Sequence, residues 1–515
     1  MIFKRKIVRD TITLTLIQLF LDSASLLLNV FITRRIGSSA IGILSLMGAF
    51  IGLAGILSNG NAFLCTSRLI SEELGKPCGD PEGILFHGVK LCLLLSTLVS
   101  GAVLMLAEPI SRRFFSGADM IPALRLMPFA LITGAVSSCI KGYFNAVRRA
   151  AITALGDIAE FTTKSAVIVL GAMLFNTSDG NGICGMMISG IIAGNIISML
   201  FLLIAYRKIR KKPAGKCSLS FRKYACCSFP IMGGSILTAV LSSTNDALVP
   251  ICLRQYGDSV GTALGSFGIF EAIVIPTLFF PSVVLCSISG IIVSESARAR
   301  AGGNATRVKY IADQAKDCTL IFSVFAAAVL IRFGGSIGEL LGGGELAGRM
   351  ITMIAPVVPF IYMEIVFEAI IKGMGEQSFS SANYLAEYVI RIASVLIFVP
   401  HMGLYGVILS YYASNIFGNC MRFYKVIKLS GAHTAIIGSF ILPVFFAVLS
   451  MYICELILRG FQLECEGIIV MSAYTVIWGA GYFILNMILG KLRLFDKTGE
   501  DKFVDNTQQT VSRVL

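Results

Sequence analysis

Acidic and amide side chains lie in the middle of several long apolar segments, where charges are rarely retained without a role. Asp22 is central in one such segment, and Glu271 is central in another. Asn245 and Asp246 are adjacent in a third. A charge in the hydrocarbon core of a membrane costs at least about 2.5–3.5 kcal/mol, so such residues normally face a partner or a water-filled cavity. These positions predict a polar cleft within a membrane or, alternatively, hydrogen bonding between packed helices.

Other polar side chains lie on the same segments or at their ends. Asn59 and Asn61 flank Gly60, while Arg68 and Arg298 stand at segment ends. Cationic groups at the ends of a cleft would attract an anionic ligand. The candidate cleft residues are Asp22, Asn59, Asn61, Arg68, Asn245, Glu271 and Arg298.

Two segments carry charges at helical spacing. Glu364, Glu368 and Lys372 recur every four residues, so they would form one stripe on a helix. Pairing within a stripe eases the desolvation of buried charges and can be purely structural. We therefore interpret such stripes either as structural ion pairs or as gating residues. The second stripe consists of Asp157, Glu160 and Lys164.

The elements that must hold these side chains are membrane helices. Of the 515 residues, 56% are hydrophobic and 14% are charged, whereas soluble domains carry roughly a quarter charged residues. The mean hydropathy is +0.81. At about 20 residues per crossing, fourteen apolar spans can be read along the chain. In chain order they are about 10–33, 41–65, 84–106, 121–140, 153–174, 182–205, 225–252, 262–293, 314–337, 349–371, 380–399, 404–423, 434–457 and 466–489. This composition excludes an ordinary soluble enzyme, a disordered protein and a fibrous protein.

The net charge of +13 is explained by membrane topology rather than by nucleic-acid binding. With span ends counted in the adjoining loops, 31 of the 43 Lys and Arg residues fall on one side of the membrane and eight on the other. The basic side is the cytoplasmic one. The sequence therefore predicts a multi-pass protein of the cell membrane with both termini cytoplasmic, in contact with membrane lipids and without a nucleic-acid partner.

The spans repeat with an offset of about 220–230 residues. Ser71-Glu72 corresponds to Ser294-Glu295, and Ile140-Lys141-Gly142 corresponds to Ile371-Lys372-Gly373. Each repeat holds six spans, so both copies enter the membrane from the same side, as in transporters with parallel repeats. Two similar bundles that face each other form a cleft, which favours a transporter working by alternating access.

The predicted fold class is therefore an all-α polytopic membrane protein. Its fourteen transmembrane helices form two parallel-topology six-helix repeats and a C-terminal helix pair. The predicted domains are a six-helix bundle over 1–206, a basic cytoplasmic linker over 207–224, a second six-helix bundle over 225–430, helices 13 and 14 over 431–490 and a cytoplasmic tail over 491–515.

Signatures of catalysis or metal binding are not found in the sequence. The fourteen cysteines contain no C-x-x-C pair and the three histidines are far apart, so the cysteines in apolar runs are interpreted as small buried hydrophobes. The chain has no Walker A pattern. We predict that the protein is not an enzyme and has no cofactor or metal. A membrane-embedded glycan polymerase or ligase is the alternative from another class.

Three stretches resemble the multidrug/oligosaccharidyl-lipid/polysaccharide (MOP) flippase superfamily. Residues 60–75 (GNAFLCTSRLISEELG) resemble the end of helix 2 in that family, and residues 276–296 resemble its counterpart in helix 8. Residues 382–399, with Glu387 and Arg391, resemble its helix 11. The layout of six, six and two helices also agrees. Within the superfamily, the sequence is most similar to the branch of stage V sporulation protein B and polysaccharide-biosynthesis (MurJ-like) proteins.

This resemblance implies a monomeric secondary transporter that flips a lipid-linked saccharide of the polyprenyl pyrophosphate type. The product would be cell-wall or surface polysaccharide, such as peptidoglycan or a polysaccharide of sporulation. Helices 13 and 14 would form a groove for the polyprenyl tail, or merely pack on the bundle. The acids on the cleft helices depart from the arginine-rich cleft of MurJ-type members. A cation-coupled multidrug exporter of the same fold is the alternative.

The resemblance also implies a site for Na⁺ or a proton. MurJ-like proteins have a cation site with an acid on helix 7 and an Asn-x-x-x-acid pair on helix 11, which Asp246, Asn383 and Glu387 match in residue type. The competing interpretation is that Arg391 neutralises Glu387 as a plain salt bridge, as Lys164 would neutralise Glu160. The candidate cation or gating residues are Asp246, Asn383, Glu387, Arg391, Glu160, Lys164 and Glu364.

Overall fold

The regular structure of the chain is helical throughout the part that can be described. The computed structural model describes residues 2–74, 80–114, 120–147, 149–174, 180–209, 220–432, 440–460 and 470–488. Every regular element within these ranges is a helix, in agreement with the predicted all-α class. Residues 210–219 of the predicted basic linker and the whole predicted tail lie outside the described residues.

The helices follow one another with short connections. Those of the first part are α1 (Ile2–Ile36), α2 (Ser38–Asn59), α3 (Ala62–Leu74), α4 (Pro81–Met105), α5 (Ala107–Phe114), α6 (Ile121–Ala146), α7 (Ala150–Leu174) and α8 (Gly180–Ile209). Those of the second part are α9 (Phe221–Tyr256), α10 (Val260–Ile269), α11 (Ile275–Phe279), α12 (Val283–Ala301), α13 (Ala305–Leu340), α14 (Gly344–Ile354), α15 (Val358–Gly373), α16 (Gln377–Met402), α17 (Leu404–Ser430), α18 (Leu442–Gly460) and α19 (Val470–Ile488).

Eleven helical segments within the described residues are long and apolar enough to cross a membrane. The chain is therefore an integral membrane protein. Three further predicted spans coincide with α7, α17 and α18. Helix α7 carries the stripe of charges described above, and the apolar part of α18, Leu442–Leu456, is short. The count of fourteen crossings, their arrangement as repeats and the orientation of the termini stay predictions.

By compactness, the chain divides into two units. The first unit consists of Met1–Ile288, Gly334–Ile354 and Glu376–Met421, and the second consists of Ser289–Phe333, Ala355–Gly375 and Arg422–Leu515. The first unit extends past the predicted bundle of 1–206, because α10 packs along α2 and α16 packs along α9. The predicted division into two six-helix bundles stays a prediction.

The second predicted span is broken between α2 and α3. Gly60 and Asn61 both adopt φ of 56°, in the left-handed region, which ends a helix naturally at glycine and is tolerated by asparagine. The Oδ1 atom of Asn59 accepts a hydrogen bond from the Asn61 backbone N–H at 2.8 Å, and the Asn61 amide donates to the Ser235 hydroxyl at 2.9 Å. The break is thus fixed by α9.

A π-helical turn at Phe270–Val274 interrupts the eighth predicted span between α10 and α11. Pro276 has no N–H, so the carbonyl of Ala272 lacks its usual α-helical donor four residues ahead. The side-chain amide of Asn29 on α1 donates to this carbonyl at 3.0 Å. The turn contains Glu271, and π-helical turns inside α-helices are frequent at functional sites.

One close helix contact recurs at the offset of the predicted repeat. A Cβ atom on Gly142 would lie 2.7 Å from the carbonyl oxygen of Phe63, and one on Gly373 would lie 2.6 Å from that of Val293. Only glycine allows backbones to approach so closely. The first contact lies in the first unit and the second in the second unit. They support the repeat locally.

Candidate binding cavity

A cavity of about 330 Å³ lies within the first unit. Its walls come from α1, α2, α7, α8, α9, the end of α10 and the π-helical turn. Its volume falls in the range of about 300–1,000 Å³ typical of small-molecule sites. The first, second, seventh and eighth predicted spans, expected to line a cleft, all contribute to it. Its polar lining residues are Ser25, Asn29, Ser45, Lys164, Asp246 and Glu271.

Two carboxylates and one ammonium group line this cavity. The carboxylates of Asp246 and Glu271 repel each other, and both are attracted to the guanidinium of Arg391. The Asn245 amide donates to Oδ1 of Asp246 at 3.2 Å. The ammonium group of Lys164 lies over the Phe161 ring, 5.4 Å from its centroid. The cavity lining therefore holds one more acidic than basic side chain.

Arg391 is held in place by several groups of the first unit. Its Nε donates to the Ser414 hydroxyl at 2.9 Å, and its Nη2 pairs with the Glu387 carboxylate at 3.4 Å. The guanidinium also lies 4.5 Å from the centroid of the Tyr411 ring, a cation–π geometry. Arg391 thus connects helices α16 and α17 and places a fixed positive charge near both cavity acids.

The residues of the predicted cation site are not all directed to one point. Asp246 lines the cavity, but the Asn383 amide donates to the Gly418 carbonyl at 3.1 Å. Glu387 pairs with Arg391, as the salt-bridge interpretation expected. Among the described residues, no group of three or more His, Cys, Asp or Glu side chains could hold a metal ion. A cation-coupling role for these residues stays a prediction.

The remaining candidate cleft residues lie elsewhere. Arg68 pairs with Glu72 at 2.9 Å and Arg298 pairs with Glu295 at 2.8 Å, and both arginine side chains are largely exposed. The Asp22 carboxylate accepts a hydrogen bond from Gln18 at 2.9 Å. Asn59 and Asn61 support the break between α2 and α3, and Asn59 lines a second cavity.

This second cavity, of about 410 Å³, lies among α2, α6, α7 and α8 in the first unit. The Lys141 ammonium on α6 pairs with Asp157 and with Glu160 on α7, each at 2.7 Å. The expected pairing of Glu160 with Lys164 is therefore wrong. The reason is that α6 brings the Lys141 cation between both acids of the stripe, while Lys164 lines the cavity of about 330 Å³.

The other predicted charge stripe lies in the second unit. The guanidinium of Arg422, with no exposed surface, pairs with Glu368 at 2.9 Å and with Glu364 at 3.2 Å. Lys372 also pairs with Glu368, at 3.3 Å. This network joins α15 to α17, so both acids of the stripe have a structural partner, Arg422, that the stripe alone did not reveal.

The comparisons with known proteins agree with this architecture. A family model described as polysaccharide biosynthesis protein matches residues 7–262, about half of the chain. The lipid II flippase MurJ in an inward closed conformation superposes with a TM-score of 0.70 at 14% identity, covering 94% of this chain and 100% of that one. By this match and this fold, the chain resembles the MOP flippase superfamily. No curated protein matches the sequence.

Multidrug members of the MOP superfamily are also similar in fold. An inward-facing multidrug resistance MATE family transporter gives a TM-score of 0.62 at 15% identity, covering 80% of this chain and 95% of that one. A MOP superfamily transporter from Pyrococcus furiosus, described by a reverse polarity of its binding pocket, gives 0.58 at 15% identity, covering 82% and 96%. At such identities the likeness shows the fold alone.

Three side chains that make contacts between helices were not recognised in the sequence. Asn29 supports the π-helical turn, Lys141 bridges two acids, and Arg422 bridges two others. Lys141 belongs to the repeated Ile-Lys-Gly motif, and this repetition could have indicated that the lysine has a structural role. Arg422 lies near the end of an apolar span, where a basic residue is expected for topology alone. For Asn29, the sequence gives only a partial signal. Pro276 indicates that the Ala272 carbonyl lacks its α-helical donor, but it does not indicate which side chain donates instead.

Proposed function

We propose that this protein is a flippase that moves a lipid-linked saccharide precursor of cell-wall or surface polysaccharide across the cytoplasmic membrane by alternating access. The observation that carries the proposal is the cavity of about 330 Å³ between membrane helices, with polar and charged side chains in its lining. A saccharide headgroup needs such a polar compartment, because polar groups are costly to expose to hydrocarbon. The match to the polysaccharide biosynthesis family supports a saccharide as cargo.

The lipid-linked substrate is of the polyprenyl pyrophosphate type, and the protein acts as a monomer without enzyme activity. Both termini face the cytoplasm, as the distribution of Lys and Arg indicates. Peptidoglycan and a sporulation polysaccharide are the two products suggested by the resemblance. Labelling of a cysteine placed at Lys212 tests the topology, because a reagent confined to the outside should not reach it. Labelling from outside would overturn this orientation.

A cation-coupled multidrug exporter is the second candidate function. The two carboxylates of Asp246 and Glu271 in the cavity favour it, since acids attract cationic drugs. The fold of MATE transporters is also similar. Direct comparison of the two cargo classes on one purified protein decides between the functions.

The experiment reconstitutes the purified protein in liposomes with a fluorescent polyprenyl pyrophosphate saccharide and measures its transfer between leaflets. A second set of liposomes measures uptake of a cationic dye. We expect leaflet transfer to exceed that of protein-free liposomes, and dye uptake to equal its protein-free rate. Dye transport without saccharide transfer would overturn the flippase proposal.

A matched pair of variants on α2 ties the transport to the cavity. Gly48 lines the cavity, and a Cβ there would lie 3.7 Å from the Met187 Cε, so Gly48→Leu should fill the space. Gly52, one turn further on, has open space around it. We expect Gly48→Leu to abolish transfer and Gly52→Leu to retain it. Equal activity of the two variants would separate transport from this cavity.

A further inference from the structure

We propose that the headgroup carried by this protein bears a protonated amine, which binds the carboxylate of Glu271. This inference rests on the proposed flippase function and names the substrate class more closely. It follows from the charges that line the cavity and from the partners that each of them already has.

The cavity offers more negative than positive charge to a ligand. Lys164 supplies one positive charge to its lining, and Asp246 and Glu271 supply two negative charges. Arg391 lies near both acids, but it already forms an ion pair with Glu387. A headgroup with phosphate charges alone would meet one ammonium group and two carboxylates, and would be repelled by the latter.

Glu271 is the acid best placed to bind a ligand. Asp246 accepts a hydrogen bond from Asn245. The Glu271 carboxylate, in contrast, forms no hydrogen bond or ion pair within the part of the chain that the structure describes. The π-helical turn and the hydrogen bond from Asn29 to its Ala272 carbonyl hold the Glu271 backbone at the cavity wall.

Lys164 gives the same cavity a place for phosphate. Its ammonium group forms no ion pair within the described ranges and lines the wall on α7. A compact ammonium group binds phosphate as a point charge. An amino-saccharide linked through phosphate would therefore pair with both of these groups, with its amine at Glu271 and its phosphate at Lys164.

The test compares two lipids that differ in one acetyl group. Polyprenyl pyrophosphate glucosamine carries an amine, and polyprenyl pyrophosphate N-acetylglucosamine does not. Binding of each to the purified full chain in detergent is measured by ligand-dependent thermal stabilisation. A charged hydrogen bond contributes about 1.5–3 kcal/mol, so the amine lipid should bind roughly ten- to one-hundredfold more tightly.

The variants assign the preference to single side chains. Glu271→Gln should remove the preference for the amine lipid, and Glu271→Asp should retain part of it. Lys164→Met should weaken both lipids to the same extent, because both carry phosphate. Arg349→Met is the matched control, since Arg349 is exposed and pairs with Glu345 outside the cavity.

Each outcome bears on one of the two proposals. A preference for the amine lipid that disappears in Glu271→Gln supports the inference. Equal binding of both lipids by the wild-type protein overturns the inference and leaves the flippase proposal intact. A preference that survives in Glu271→Gln also overturns it. Binding of neither lipid, together with binding of a cationic dye, overturns the flippase proposal itself.

Discussion

The buried charge network around Arg422 makes a quantitative prediction about stability. Arg422→Met keeps the length of the side chain but removes the guanidinium that pairs with Glu364 and Glu368. Removing one partner of a buried ion pair costs about 3–5 kcal/mol, because the remaining charge stays buried without compensation. Lys372 stays 3.3 Å from Glu368 and compensates in part, but its side chain is 39% exposed.

We therefore expect a loss near the lower end of that range, about 3 kcal/mol. At 1.4 kcal/mol per factor of ten, this corresponds to a roughly hundredfold change in the unfolding equilibrium. The assay is unfolding by denaturing detergent in mixed micelles, followed by intrinsic fluorescence. Trp478, the only tryptophan of the chain, is buried in the same unit against Phe325. Its emission therefore reports unfolding of the unit that contains Arg422.

Two further variants make the reasoning refutable. Arg298→Met removes an exposed ion pair with Glu295 in the same unit and should cost less than about 1 kcal/mol. The triple change of Arg422→Met, Glu364→Gln and Glu368→Gln should recover most of the loss, since no buried carboxylate is left unpaired. If Arg422→Met is as stable as Arg298→Met, or if the triple variant recovers nothing, the ion-pair explanation is refuted.

Three other outcomes are expected. Gly142→Ala should lower the melting temperature in detergent, because its Cβ would lie 2.7 Å from the Phe63 carbonyl oxygen. Gly101→Ala, with open space around it, should not lower it. Equal melting temperatures of the two variants would contradict the close helix contact. Lys141→Met should lose about 1.5–3 kcal/mol of unfolding free energy by leaving two carboxylates without their cation, and Lys141→Arg should recover part of it; an unchanged unfolding curve would show that the two pairs are negligible. If Na⁺ is the coupling ion, it should raise the melting temperature of the wild-type protein but not of Glu387→Gln; a wild type insensitive to Na⁺, with transport independent of pH and of membrane gradients, would make the Glu387 pair purely structural.

Composition and periodicity were enough to predict the membrane helices. A polypeptide can satisfy its backbone hydrogen bonds in hydrocarbon only by forming helices or closed barrels, so long apolar runs without strand alternation define the class directly. The ion pair between Glu387 and Arg391 could also be predicted from the sequence, because residues four apart lie on the same helix face. The break at Gly60 was not predicted, although the polar residues Asn59 and Asn61 beside it were recognised within the span.

Which charged residues pair between different helices could be determined only from the tertiary structure. Glu160 and Lys164 have the spacing of an ion pair on one helix. Because α6 packs on α7, however, Glu160 pairs with Lys141, and Lys164 lines the cavity. Arg422 could not be assigned to the α15 stripe, since helix packing alone brings residues so distant in sequence into contact. The sequence by itself thus determined which charged residues lie within membrane spans, because the position of a charge in an apolar span can be read from that span alone. Only the tertiary structure decided which charges neutralise one another and which remain at the cavity, because this depends on the rotation and packing of neighbouring helices.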